Sequence, residues 1–144
     1  MKDNSNYKGL LHSNGLKNTK RRSLILEILA KLEQPVTVDQ LFLELKKNDV
    51  SINISTVYRI LETLVSRDLV TKTNISRENK TYFELNRLEH RHHFVCLDCK
   101  QIFWIDDCPL ENYCELFQTR TGFDVTGHKL EIYGYCPNCK QIRV

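Results

Sequence analysis

The chain has 144 residues with 27% charged and 41% hydrophobic residues, a composition that suits one medium domain or two small ones and excludes wholesale disorder. No apolar run approaches the roughly 18–20 residues needed to cross a bilayer, and Met1-Lys2-Asp3-Asn4-Ser5-Asn6 has no secretory character, so a cytoplasmic protein with no membrane partner is expected. The net charge of +3 is uneven: Lys17, Lys20, Arg21 and Arg22 crowd the front, while Asp106, Asp107, Glu111 and Glu115 lie in the second half.

Residues from Lys8 to about Asn14 read as a short helix stopped by Gly15, preceded by a frayed tail. A second helix runs from Lys20 to Leu32, with Leu24, Ile28, Leu29 and Leu32 at 3.6-residue spacing and Glu33-Gln34-Pro35 ending it. Thr37 is the expected N-cap of a third helix to about Lys47, turning Leu41, Phe42 and Leu45 inward. Ser55 is expected to cap a fourth, Thr56 to Arg67, with Val57, Ile60, Leu61, Leu64 and Val65 on its apolar face. Asp68 to Thr73 and Lys80 to Leu85 then form a hairpin around the polar turn Asn74 to Asn79. This is the order of a winged helix-turn-helix. Beyond the charged link 86–91, His93 to Leu97 and Gln101 to Asp106 read as strands, Leu110 to Thr121 as a helix, and Asp124 to Tyr135 as a strand region. The expected fold is α+β: a winged helix-turn-helix over residues 1–85, a hinge over 86–91, and an α/β domain with a three-stranded antiparallel sheet over 92–144.

Six cysteines in a reducing compartment point to metal ligands or free thiols rather than disulfides. Cys96-Leu97-Asp98-Cys99 and Cys136-Pro137-Asn138-Cys139 are paired C-x-x-C knuckles. Each turn can offer two thiolates at about 2.3 Å from one ion, and four close a tetrahedral zinc shell. A closed shell has no position for water, so this zinc is structural. A redox pair is the weaker reading, because neither motif lies on the βα turn of a thioredoxin.

Histidines cluster in the second half. On an extended segment His90 and His92 point to one side and His93 to the other. His128 and Glu111 are the candidates to complete a His90/His92 site, and Glu84 could accompany His93; the competing reading is of solvated histidines on a polar linker. His12 is isolated. Cys108, before Pro109 at a helix start, is either a metal-binding or oxidisable thiol favoured by the helix dipole, or a part-buried residue. Cys114 reads as core.

Ser55-Thr56-Val57-Tyr58-Arg59 puts small hydroxyls, an aromatic ring and a cation at the N-terminal end of the fourth helix, the part of a recognition helix that reaches base edges. Lys17, Thr19, Arg21 and Arg22 would add backbone contacts to double-stranded DNA. An ordinary capped, solvated helix end is the alternative. A zinc hydrolase with Glu111 as base is disfavoured, since neither H-E-x-x-H nor H-x-E…P-C-x-x-C occurs.

Together, Gly15-Leu16-Lys17-Asn18-Thr19 with Arg22, Ile54 to Leu61, Tyr82-Phe83-Glu84-Leu85, His92 to Cys99 and Gly127 to Cys139 resemble the ferric-uptake-regulator (Fur) family of metal-dependent bacterial repressors, over nearly the whole chain. The resemblance implies a homodimer joined through the C-terminal domains, and an AT-rich palindromic operator. It implies a regulatory metal at His90, His92, Glu111 and His128, and a hinge metal that shifts the population toward the DNA-competent state. Glu84 and His93 stand at hinge-ligand positions, but the family's other hinge histidines fall on the Pro35-Val36 region and on Arg91, which cannot ligate a cation. Residues 107–111 and 127–134 look most like the zinc-uptake branch. The expected cofactors are therefore structural Zn2+ and regulatory Zn2+ or Fe2+, and the expected function is a zinc-responsive repressor, with a ferrous-iron repressor or a constitutive zinc-stapled DNA-binding module as alternatives.

Overall fold

The computed structural model describes residues 4–17, 19–32, 34–75, 79–87 and 90–142. Residues 1–3 of the expected tail, the tip of the hairpin turn (76–78) and hinge residues 88–89 lie outside the described residues. The chain divides into two compact units, Met1–Arg87 and Leu88–Val144.

The first unit comprises α1 (Asn4–Ser13), α2 (Lys20–Lys31), α3 (Val38–Lys47), α4 (Ile54–Ser66), β1 (Val70–Ile75) and β2 (Lys80–Leu85). Its helices bury one stripe each. Leu11, Ile25, Leu26, Leu41, Leu45, Val57, Leu61 and Leu64 are fully buried, and Leu24, Phe42, Ile60 and Val65 pack at the margin. The antiparallel hairpin aligns Val70 with Leu85 and Lys72 with Phe83. Val36 extends it by exchanging two hydrogen bonds with Phe83, N to O at 2.9 Å and 2.7 Å.

Capping sets the helix starts. Thr19 Oγ1 accepts from Arg22 N, and Thr37 with Gln40 forms a reciprocal capping box. The fourth helix begins earlier than the sequence reading placed it, because Asn53 rather than Ser55 is its cap. Asn53 Oδ1 accepts from Thr56 N at 2.9 Å and from the Ser55 and Thr56 hydroxyls, each at 2.8 Å. The first helix likewise starts at Asn4 rather than Lys8, and β1 lies two residues further along than expected, after Asp68 takes a left-handed conformation at φ 59°.

The second unit comprises β3 (His92–Cys96), β4 (Ile102–Ile105), α5 (Glu111–Thr121), β5 (Glu131–Gly134) and α6 (Pro137–Ile142). Its sheet has the order β4-β3-β5, antiparallel between β3 and β4 but parallel between β3 and β5. The expectation of a purely antiparallel sheet is thus corrected to a mixed one. The chain reaches β5 from β4 through α5 and a long return, the crossover that parallel pairing requires, whereas a tight knuckle can only fold β4 back antiparallel. Strand alternation carries no record of that direction. The expected strand over 124–135 shrinks to Glu131–Gly134, and the second cysteine knuckle opens a short helix. Gly134 admits the Phe94 ring, which a Cβ there would meet at 3.1 Å.

Candidate metal centres and nucleic-acid interface

Two donor clusters form within the second unit. In the first, Cys96 ends β3, Cys99 closes the turn before β4, and Cys136 and Cys139 flank the start of α6. Lys100, left-handed at φ 65°, donates its N–H to Cys96 O at 3.0 Å and tightens the first knuckle. The four sulfurs lie within 4.8 Å of one another, with Cys99 Sγ and Cys136 Sγ 3.8 Å apart, and Cys136 N donates to Cys96 Sγ at 3.4 Å. In the metal-free chain, burial raises the Cys96 thiol, but the backbone N–H groups of Cys136, Cys99 and Asp98 outweigh it and bring it down to about 6. Burial and the neighbouring sulfurs push Cys139 up to about 12. One thiolate is favoured and the next is opposed, a conflict that a dication removes. The sulfur tetrad fits zinc.

The second cluster brings together His90, His92, Cys108 and His128, from the approach to β3, β3 itself, the connection before α5, and the irregular return before β5. His128 Nε2 lies 2.9 Å from His90 Nε2, 3.1 Å from His92 Nε2 and 3.1 Å from Cys108 Sγ, and Cys108 Sγ is 3.2 Å from His92 Nε2. A ring nitrogen carries either one proton or one lone pair, so His128 Nε2 cannot serve three neighbours by hydrogen bonding. An ion at their centre can. Ideal tetrahedral zinc places such donors roughly 3.3–3.6 Å apart, from bonds of about 2.0–2.1 Å to nitrogen and 2.3 Å to sulfur. The cluster therefore needs to expand by only a few tenths of an ångström. Burial first, then the charges of His90, His128 and His93, lowers the pKa of His92, which favours the neutral, ligating imidazole.

Glu111, the acidic member of the expected set, sits exposed on the first turn of α5 and is not in this cluster; Cys108 stands in its place. The cysteine-proline signal at a helix start leaves Cys108 open between a ligating thiol and a part-buried residue; it is half-buried and stands within the donor group. Cys114, expected in the core, is half-buried with Sγ 3.7 Å from His128 Nδ1. Glu84 lies half-buried on β2 of the first unit, and His93 lies buried on β3 of the second, in register with Glu131. Among the described residues, neither joins a donor cluster. The Arg91 guanidinium stacks 4.4 Å over Trp104 and lies 3.7 Å from Asp106. His12 is exposed on α1.

In the first unit, Tyr58 and Arg59 project from the second turn of α4, both exposed. Ser55 and Thr56 share Asn53, and Thr19 caps α2, so these hydroxyls also shape the helix ends. Arg22 donates to Lys17 O at 3.0 Å and Arg21 to Ser51 O at 2.9 Å, which draws the basic segment toward the start of α4. Lys17 is exposed.

A helical unit with a hairpin, followed by a mixed-sheet unit carrying a sulfur tetrad and a histidine-rich cluster, defines a two-unit metal-binding protein of the α+β class. The Ferric uptake regulator family profile matches residues 13–133, and the chain belongs to that family of transcriptional regulators. It is 33% identical over 135 residues to the ferric uptake regulation protein of Campylobacter jejuni, covering 92% of this chain and 85% of that one. The Vibrio cholerae ferric uptake regulator (Fur), whose crystal structure reveals rearrangement of its DNA-binding domains, superposes with a TM-score of 0.79 at 30% identity over 90% of this chain and 99% of that one. The Francisella tularensis regulator solved with iron gives 0.77 at 28% identity, over 88% and 96%. These relatives are regulators, not enzymes.

Proposed function

We propose that the chain is a metal-dependent, DNA-binding transcriptional repressor of metal-homeostasis genes, acting as a homodimer and responding to zinc. The single observation that carries this reading is the histidine cluster, a convergent donor set separate from the sulfur tetrad in the same unit. Cys96, Cys99, Cys136 and Cys139 hold a permanent structural Zn2+, and the histidine cluster holds the exchangeable one. The first unit is a winged helix-turn-helix with α4 as recognition helix and β1–β2 as wing. Ser55, Thr56, Tyr58 and Arg59 face DNA bases or backbone, and Lys17, Thr19 and Arg22 add phosphate contacts. The proposed target is an AT-rich palindromic site; family membership supports a regulatory role, and the DNA-binding domains of the Vibrio relative support DNA binding by the first unit.

The dimer reading is supported by α5, which buries no residue within the unit and exposes Tyr113 and Leu116, with Phe123 exposed just past its end and Ile132 exposed on β5. Such a patch is expected to be covered by a second copy. The ion would act by binding the DNA-competent arrangement more tightly than its alternative.

The test is selection of duplexes from a random library by the zinc-loaded protein, followed by binding assays across buffered zinc and ferrous iron with tetrad zinc monitored. Affinity that rises with free zinc while the tetrad stays filled supports the reading. Affinity indifferent to every added ion refutes metal control and leaves a constitutive DNA-binding module; a response to iron alone refutes the zinc assignment.

A further inference from the structure

The identity of the fourth donor decides which ion the histidine cluster takes, and the structure puts a sulfur there. We propose that His90, His92, His128 and the Cys108 thiolate form a His3Cys tetrahedral site that selects zinc over ferrous iron and manganese. This deepens the reading of the cluster as the regulatory site and rests on it.

Three observations converge. Cys108 Sγ contacts two of the three histidine nitrogens, at 3.2 Å and 3.1 Å, so it shares their centre. Glu111 lies outside the group on an exposed helix face, although it is the carboxylate that sequence reasoning favoured. Cys114 Sγ stands 3.7 Å from the opposite nitrogen of His128, Nδ1, where it holds the ring with Nε2 turned to the ion. Cys114 is thus a positioning residue and Cys108 a ligand.

The chemistry follows from the donors. Three neutral imidazoles and one thiolate form a tetrahedral, moderately soft set, whereas a carboxylate in the fourth place would suit harder ions. Binding replaces the Cys108 thiol proton with the metal and releases that proton to solvent. The ion would also tie three separate segments together, including residues 122–130, which have no regular secondary structure.

Cobalt(II) reads the site directly. The 144-residue protein with its tetrad zinc retained is titrated with cobalt while near-ultraviolet thiolate-to-metal charge transfer and the cobalt K-edge are recorded. One cobalt per chain with a single sulfur and three nitrogen neighbours is expected, and the edge measurement on the unmodified protein needs no variant. Cys108→Ser should lose the charge-transfer band and bind cobalt about ten-fold more weakly or worse, since loss of an outer-shell partner alone costs that much. Glu111→Gln should keep the band and the affinity. Zinc should displace the cobalt stoichiometrically, while about a hundred-fold excess of manganese should not, following the divalent-metal order.

A cobalt shell without sulfur, a band that survives Cys108→Ser, or affinity lost in Glu111→Gln alone overturns the assignment; displacement by manganese overturns the selectivity. Parallel DNA binding separates the two readings. Metal-dependent binding with no sulfur on cobalt sinks the ligand assignment and spares regulation. Sulfur on cobalt with metal-indifferent DNA binding does the reverse.

Discussion

Replacing Cys136 with serine should unfold the C-terminal unit. Among the described residues of that unit, the only fully buried aliphatic side chains are Val95 and Ile102, each 1% exposed; Cys96, Cys136 and Cys139 with the flank of Phe103 make up a separate buried cluster. At about 1.5–3 kcal/mol per buried aliphatic side chain, Val95 and Ile102 contribute roughly 3–6 kcal/mol. A structural zinc in a small domain contributes about 10–16 kcal/mol, several times as much. Losing one thiolate leaves a neutral hydroxyl against three sulfurs and removes most of that. The assay is thermal melting by circular dichroism with zinc content measured on the same sample. Loss of about one zinc per chain and of the cooperative transition of this unit is expected, while the first unit, with its own core, still melts cooperatively. A Cys136→Ser protein that keeps its zinc, or that loses it and still melts within a few degrees of the parent, would show that the metal contributes little to this unit's stability.

Three further outcomes are expected. Arg59→Ala should weaken binding to a selected duplex by about 1–3 kcal/mol, read by titration, with metal content and melting unchanged; unaltered affinity would remove α4 from the interface. Leu61→Ala, at a position 0% exposed, should destabilise the first unit by about 2–5 kcal/mol in denaturant unfolding without releasing tetrad zinc. The protein with an empty histidine cluster should lose stability as pH falls through the ordinary histidine value of about 6.5, because the unfolded chain takes up the His92 proton before the folded one does. The loss should level off below the depressed folded value, and His92→Asn should flatten the denaturation profile; stability that rises on acidification would contradict it.

Much of the first unit is legible locally. Gly15, Pro35 and the Thr37 cap are short-range signals, and the 3.6-residue stripes of α3 and α4 match the buried faces, whereas in α2 the stripe catches Ile28 and Leu29 but misses the fully buried Ile25 and Leu26. Misplacement occurs where two local signals compete. Ser55 and Asn53 are both good caps, and the amide that accepts three hydrogen bonds wins. The second unit is less legible, because a long crossover hides the direction of β5 and because side-chain type alone does not say which donors meet. Glu111 is a common metal ligand by chemistry, yet the helix that carries it turns it to solvent, while the chain just before that helix delivers Cys108.

The residue pattern alone determines the paired knuckles, the two-part organisation and the common side on which His90, before β3, and His92, on β3, are presented, because each depends on spacings of a few residues and on alternation along an extended chain. Only the tertiary structure decides the parallel pairing of β5 with β3 and the membership of the histidine cluster. Both depend on where a return of more than twenty residues after β4 brings the chain back, and no local periodicity encodes the end point of such a path. Cys108 and His128 approach His92 from opposite ends of that path, and their meeting turns four scattered residues into a candidate metal site.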